Sequence, residues 1–218
     1  MEVLRSLWPY AVPALMLIWV LAFVVRKTPG IGRVEASTSG KVGLAIAVCA
    51  AGISLTWLPV FPAGQVKLSF GSWVLSANPG FSTCSLAMAA SSVRAALWGT
   101  PLLRRRDMVL LSLWLVLLAT ILYSSIWGLL SYDLYAQGYG FSWWFWITGM
   151  ITLFLGLLGQ ARLALVGIAV IATYDLRLLP SDNLFDYLID GPAVLFACLY
   201  LIYQSFRDLR ERIRRIPH

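Results

Sequence analysis

Seven long apolar segments, separated by shorter polar ones, make up most of the chain. A membrane-spanning helix needs about 20 mostly apolar residues. The polar residues inside these segments do not recur with the period near 3.6 that gives a water-soluble helix its polar face. The pattern therefore predicts an all-α protein, a polytopic bundle of about seven transmembrane helices in one domain. The predicted spans are residues 7–25, 42–61, 81–103, 108–130, 141–160, 163–179 and 187–206.

One connection between the spans carries a pattern of its own. In the segment 62–80, Val66, Leu68 and Phe70 alternate with polar residues, and the Gly71–Ser72 pair suits a turn. Alternation with a period of two is typical of a strand that is half-buried. The segment is therefore expected to form a small hairpin or an outer loop, and a plain amphipathic loop fits the same residues.

Composition supports the membrane interpretation and excludes several classes of protein. Hydrophobic residues make up 60% of the 218 positions and charged residues only 12%, whereas soluble domains carry about 25% charged residues. The mean hydropathy is +0.78. These values exclude a secreted enzyme, a nucleic-acid-binding protein and a disordered scaffold. Ten Trp and nine Tyr fit an aromatic belt at the membrane interface, and Tyr135 and Tyr139 are assigned to it.

The distribution of the basic residues indicates one orientation for the seven predicted spans. With the N-terminus outside, thirteen of the 17 Lys and Arg fall in cytoplasmic segments and only Arg5, Lys67 and Arg177 fall outside. The positive-inside rule therefore predicts an N-out/C-in protein with a basic cytoplasmic tail at 207–218. The net charge of +7 is then explained by this face without nucleic acid. Short loops and the absence of a targeting sequence favour a multi-pass protein of a bacterial inner (plasma) membrane.

Arg94 is the first candidate site residue, since it is a charge inside a predicted span. Its position 13 residues after Phe81 and 10 before Arg104 predicts a location near the middle of the bilayer. A charge at that depth is expensive and is a functional-site hypothesis by default. A structural arginine that binds carbonyl groups, or one that snorkels to the interface, is the alternative.

A group of acidic residues near the predicted outer surface is the second candidate. Asp182, Asp186 and Asp190 stand four residues apart, so on one helix they would share a face, and Asp175 and Arg177 approach from the preceding span. Carboxylates so arranged suit a cation or proton site, or the docking of a basic partner. Helix capping by Ser181 or Asp182 is the alternative. The identity of any metal is unknown from these residues.

Several cofactors are not supported by the residues present. The single histidine is His218, so the chain offers no pair of histidines for haem or zinc. No lysine lies within a predicted span, which argues against retinal. Cys49, Cys84 and Cys198 are isolated within spans and form no C-x-x-C motif, which argues against iron–sulfur clusters. The sequence therefore predicts no cofactor.

Three functions fit these observations. The first is a non-enzymatic membrane protein, an accessory or structural subunit of an envelope membrane complex. The second is a small carrier or channel that uses Arg94 and the outer acidic residues for transport. The third is an intramembrane enzyme that acts on a lipid-linked substrate. The expected partners are the lipid bilayer and other membrane proteins or further copies of the chain.

Overall fold

The computed structural model describes residues 1–28, 38–63 and 66–214, and their regular elements are helices apart from one two-stranded antiparallel sheet. Most of the linker after the first predicted span, residues 29–37, and the end of the predicted basic tail, residues 215–218, lie outside the described residues. The helices and strands are α1 (Glu2–Leu7), α2 (Ala11–Lys27), α3 (Thr38–Trp57), β1 (Pro59–Ala63), β2 (Val66–Ser69), α4 (Phe70–Ala77), α5 (Thr83–Trp98), α6 (Arg105–Ile126), α7 (Trp143–Leu157), α8 (Ala161–Asp175), α9 (Leu184–Leu188) and α10 (Gly191–Arg214).

Three helical segments among the described residues are long and apolar enough to cross a membrane: Glu2–Lys27, Thr38–Trp57 and Arg105–Ile126. The first joins α1 and α2 through a 3-10 turn at Trp8–Tyr10. A helix occupies most of each of the other four predicted spans. However, α5 has 16 residues, α7 and α8 have 15 each, and α10 continues past its predicted span to Arg214. At 1.5 Å per residue a 15-residue helix is about 22 Å long, shorter than a hydrocarbon core of about 30 Å. The seven-span bundle and its orientation therefore stay predictions.

Left-handed glycines help explain why α6 and α7 end before the predicted spans do. Gly128 has φ +72° two residues after α6 ends, and Gly159 has φ +72° two residues after α7 ends. A glycine in this conformation stops a helix because its backbone turns away while satisfying the last carbonyl groups. Hydropathy alone does not detect this signal, so the predicted spans extend to residues 130 and 160.

The chain divides into two compact units. Unit 1 consists of Met1–Phe81, Ser85–Leu102 and Arg177–Pro180. Its core lies where α2, α3 and α5 meet, around the buried side chains of Ile18, Ala22, Val48 and Val93.

Small residues bring α2 and α3 close together in unit 1. A Cβ atom at Gly52 would collide with the side chain of Ile18 and would lie 3.1 Å from its backbone nitrogen. The two helices therefore approach at a distance that only glycine permits at this position.

The second half of the segment 62–80 forms a helix, whereas its sequence pattern predicted a turn and a strand. Strands β1 and β2 pair antiparallel, with Ala63 opposite Val66, and the chain then enters helix α4 rather than turning at Gly71–Ser72. The hydroxyl oxygen of Ser69 accepts a hydrogen bond from the backbone N–H of Ser72 at 3.1 Å. This N-cap starts a helix where sequence alternation suggested a second strand.

Unit 2 consists of Ser82–Cys84, Leu103–Leu176 and Ser181–His218. Helices α7 and α8 pack together as a helical hairpin, and α6 packs against α10. The α6–α10 contact is polar at one end, where Arg105 donates hydrogen bonds to Gln204 at 2.8 Å and to Asp208. In the predicted tail, Arg207 donates to Glu211 at 3.0 Å.

Candidate functional site

Asp182, Asp186 and Asp190 do not lie on one helix face, so the prediction of a shared face is wrong. Asp182 precedes α9, Asp186 lies within α9, and Asp190 lies between α9 and α10. Ile189 is extended, with φ −140° and ψ 142°, so the helix is interrupted before Asp190. Pro192 explains the new start, since proline has no N–H to donate to a preceding turn and fits the first turn of a helix.

Asp190 holds two segments of backbone with its two carboxylate oxygens. Its Oδ1 accepts a hydrogen bond from the N–H of Ala193 at 2.6 Å, which caps α10. Its Oδ2 accepts from the N–H of Ser82 at 2.6 Å, just before α5 begins. The residue after Ser82, Thr83, shares a hydroxyl hydrogen bond of 2.7 Å with Thr173 of α8. Helix capping was the alternative role considered for the acidic residues, and it is the role of Asp190. The sequence had instead suggested Ser181 or Asp182 as the cap.

Asp186 is bound by two hydroxyl groups. Tyr135 donates from its hydroxyl to the carboxylate, 3.0 Å from each oxygen, and Ser181 donates to Oδ2. Burial raises the pKa of Tyr135, and the negative charge of Asp186 raises it further. The phenol is therefore held in its neutral, donating form.

Asn183 is fully buried, with a relative exposure of 0%, and joins three pieces of unit 2. Its Nδ2 donates to the carbonyl of Tyr135 at 2.8 Å, and its Oδ1 accepts from the N–H of Phe185 at 2.9 Å, which caps α9. Its backbone pairs with that of Tyr139 in an isolated bridge. A Cβ atom at Gly138 would collide with the Asn183 amide, so this contact requires glycine.

These residues form what we call the α9 polar network, which consists of Tyr135, Ser181, Asn183, Asp186 and Asp190. Sequence reasoning named the two aspartates but missed Asn183 and Gly138, and it assigned Tyr135 to the aromatic belt. An asparagine shortly before an apolar run is a general capping signal, which is the one sequence feature that could have identified Asn183.

The remaining predicted acidic residues are more exposed. Asp175 ends α8, and Asp182 has an exposed side chain while its carbonyl accepts a hydrogen bond of 3.4 Å from Tyr174. Arg177 belongs to unit 1 and has φ +51°, in the left-handed region. Few residues other than glycine adopt this conformation, and it marks the sharp exit from α8. That Asp175 and Arg177 join a common site stays a prediction.

Arg94 lies nearer to the end of its helix than the sequence suggested. Helix α5 runs from Thr83 to Trp98, so Arg94 is four residues, about 6 Å, from its last residue. Its side chain is exposed. The helix ends before the predicted span does, at Gly99, whose φ is +76°, and the predicted depth of Arg94 in a bilayer stays a prediction. An arginine one turn from a helix end can extend its charge beyond that end.

No metal-binding cluster is present among residues 1–28, 38–63 and 66–214, since they contain no group of three or more His, Cys, Asp or Glu side chains suited to a metal. Asp186 and Asp190 direct their oxygens to hydroxyl and backbone donors of this chain. The hydrogen bonds of the α9 polar network therefore have a structural role, because they connect helix ends to one another.

An apolar cavity of about 250 Å³ lies between α6, α7 and α8 in unit 2. Trp114 and Leu163 are among its walls. The hydroxyl of Thr152 also lines it but donates to the carbonyl of Thr148 at 2.7 Å, so the wall presents little free polarity. Such a cavity suits a hydrocarbon group rather than a polar ligand.

Comparison with family models, with curated proteins and with solved structures finds no match to this chain.

Proposed function

We propose that this chain is a non-enzymatic integral membrane protein that serves as an accessory or structural subunit of an envelope membrane complex. We further propose that it crosses a bacterial inner membrane seven times, with its N-terminus outside. The subunit role accounts for the structural use of the acidic residues and leaves Arg94 and the apolar helix faces for contacts with other proteins and lipid.

The observation that carries the proposal is the hydrogen bonding of Asp186 and Asp190. A catalytic or ion-binding carboxylate needs a lone pair directed at its ligand. Here the oxygens accept from Ser82, Ala193, Tyr135 and Ser181, which fix helix ends in place. This arrangement favours a scaffold over a carrier or a metal enzyme.

The exposed guanidinium of Arg94 offers a place for a partner to bind. Exposed charges within apolar segments are costly in lipid, so an acidic or carbonyl group of another protein would stabilise this one. The helix around it is rich in Ala and Ser, which lets another helix approach closely.

The subunit role is tested by native mass measurement of the complex that co-purifies with the chain in mild detergent. A reproducible set of partner proteins is the expected result, and Arg94→Gln is expected to reduce its recovery. Arg5→Gln is the matched control because it removes an exposed charge elsewhere. A lone protomer or a homo-oligomer in every mild detergent would overturn the proposal.

The proposed orientation is tested with two single cysteines in a variant whose three native cysteines are replaced by alanine. A membrane-impermeant maleimide is expected to label the Lys67→Cys variant in intact cells. The Arg106→Cys variant, exposed at the start of α6, is expected to react only after lysis. The reverse pattern, or equal labelling, would contradict the N-out/C-in topology.

A second candidate function is supported by the cavity of unit 2. An enzyme acting on a lipid-linked substrate needs a place for the hydrocarbon chain, and the space between α6, α7 and α8 is apolar. Crosslinking to a photoreactive polyprenyl phosphate tests this candidate. Val166→Trp would fill the cavity and is expected to abolish crosslinking, while Leu165→Trp, an exposed neighbour, is expected to leave it unchanged. Equal crosslinking by both variants would exclude the cavity as the site.

A further inference from the structure

Helices α2 and α3 run antiparallel in unit 1, and their ends beyond the core form a second cavity. Gly52 of α3 lies against Ile18 of α2. Ala22, one turn after Ile18, and Val48, one turn before Gly52, belong to the same buried cluster as Ile18. Continuing in that direction leads to the last residues of α2 and the first residues of α3. The end of α5 joins them there through Leu97, which packs against the same cluster.

The cavity at these helix ends has a volume of about 120 Å³, room for roughly four water molecules at about 30 Å³ each. That is the size of a small polar group with its first carbon atoms rather than of a whole lipid chain. Its floor is apolar and consists of Ala22, Val25, Leu44, Ala45 and Val48.

Cationic and aromatic side chains complete the cavity wall. Arg26, in the last turn of α2, reaches towards α5 and donates to the carbonyl of Leu97 at 3.4 Å. Lys41 lies near the start of α3, and Trp98 is the last residue of α5. No acidic side chain is among the described residues that line the cavity.

The electrostatic environment at this position favours an anion. Arg26 and Lys41 carry one full positive charge each, and the N-terminal end of α3 adds a partial charge of about +0.5. The C-terminal ends of α2 and α5 lie at the same cavity and each carry about −0.5, so the two side chains supply the net positive charge. Basic pockets between membrane helices are suited to phospholipid headgroups. The apolar residues Val24 and Val42, both exposed beside the cavity residues in sequence, would lie in hydrocarbon next to such a headgroup.

We propose that this cavity binds one anionic phospholipid, with its phosphate between Arg26 and Lys41 and the first methylene groups of an acyl chain on the apolar floor. Trp98 would lie at the level of the headgroup, where indole rings are favoured. The apolar floor distinguishes a lipid from a free anion, because inorganic phosphate gains nothing from Leu44 or Val48. This inference concerns lipid recognition and does not depend on the subunit role.

The test measures the retention of phosphatidylglycerol by the protein in nanodiscs that hold equal amounts of phosphatidylglycerol and phosphatidylcholine, followed by native mass spectrometry. Arg26→Gln and Lys41→Gln are each expected to lower the retention of phosphatidylglycerol about fivefold, the effect of one basic residue near an anionic lipid surface. Lys41→Arg is expected to preserve it. Because Lys41 is exposed in the first turn of its helix, its loss does not disturb the core.

Lys27→Gln is the matched control. It removes the same charge from the adjacent position, but its ammonium lies 4.6 Å from the centre of the Phe23 ring and does not line the cavity. An equal loss of lipid in the Lys27→Gln variant would overturn the proposal, because it would show attraction to surface charge in general.

A second variant separates the headgroup from the chain. Ala96→Phe keeps both cations but fills the cavity, and it is expected to reduce retention of phosphatidylglycerol as strongly as Arg26→Gln. Thermal stabilisation by inorganic phosphate alone, equal to that by phosphatidylglycerol and lost in Arg26→Gln, would overturn the assignment to a lipid.

Discussion

The two units of this chain are stabilised in different ways. In unit 1 the helices meet through small and aliphatic residues, and the closest approach is made by Gly52 against Ile18. In unit 2 several helix ends are fixed by buried polar side chains, and Asn183 and Asp190 bind backbone groups of distant segments. The second unit contains the two longest helices, α6 and α10, but also the short α9 and the interruption between α9 and α10.

The difference shows what interrupted helices require. Each helix end leaves N–H and carbonyl groups without partners inside the helix. The interruption between α9 and α10 places helix ends inside unit 2, and side chains bind them there, because buried backbone groups without partners are costly. Unit 1 uses shape to specify its contacts, and unit 2 adds directed hydrogen bonds.

The largest expected effect is on the α9 polar network. Asn183→Ala would leave the carbonyl of Tyr135 and the N–H of Phe185 without their partners in a buried site. The free energy of unfolding is expected to fall by about 3 kcal/mol. Thermal unfolding in detergent measures this change, and hydrogen exchange should localise the loss of protection to α9. Asp182→Ala, at an exposed neighbour, should change stability by less than about 0.5 kcal/mol, and equal effects would contradict the role of Asn183.

The shape-based contact of unit 1 is tested by Gly52→Val. The added side chain would collide with Ile18, and this overpacking is expected to cost about 1–3 kcal/mol. Hydrogen exchange should then show the loss in α2 and α3. The control is Gly43→Val in the same helix, where a Cβ atom meets nothing within 4 Å. If both variants lose the same stability, helix propensity rather than close approach explains the result.

A smaller effect is expected from the titration of Tyr135. Its pKa is raised above the ordinary value near 10, so the folded protein holds the phenolic proton more tightly than the unfolded chain does. Stability from this group is therefore complete below about pH 10 and falls as the pH rises further. Unfolding measured between pH 8 and pH 11 should show this decline in the native protein and less of it in Tyr135→Phe. Tyr132→Phe, at an exposed tyrosine, should retain the native pH dependence.

The smallest effect is expected at the ion pair between Arg207 and Glu211. Both side chains are nearly half-exposed, at 45% and 48%, although they are 3.0 Å apart. Solvent-exposed ion pairs contribute little because water screens the charges. Arg207→Gln is therefore expected to leave the unfolding temperature unchanged within measurement error. A clear decrease would mean that α10 depends on surface charges, unlike either unit's core.

Much of the helical architecture could be predicted from hydropathy. Each predicted span contains a helix, and three helical segments are long and apolar enough to cross a membrane. The ends were harder to predict, because Gly128 and Gly159 stop their helices through backbone conformation while the apolar residues continue. The alternation around Phe70 also predicted a strand, whereas the N-cap at Ser69 starts a helix there.

The candidate site could be predicted only in part. The spacing of Asp182, Asp186 and Asp190 suggested one shared face, but the interruption at Ile189 separates them. Asn183 binds the carbonyl of Tyr135, 48 residues earlier in the chain, and no local pattern encodes that pairing. The function of each carboxylate thus depended on which distant donors the fold brought to it.

The sequence by itself determined the composition of the helices, the concentration of positive charge and the predicted orientation, because hydropathy and charge are summed along the chain. Only the tertiary structure decided that Gly52 meets Ile18, that Asp190 binds Ser82, and that Arg26 reaches the end of α5. These contacts join residues far apart in sequence, and their geometry is fixed by how helices pack rather than by the residues next to them.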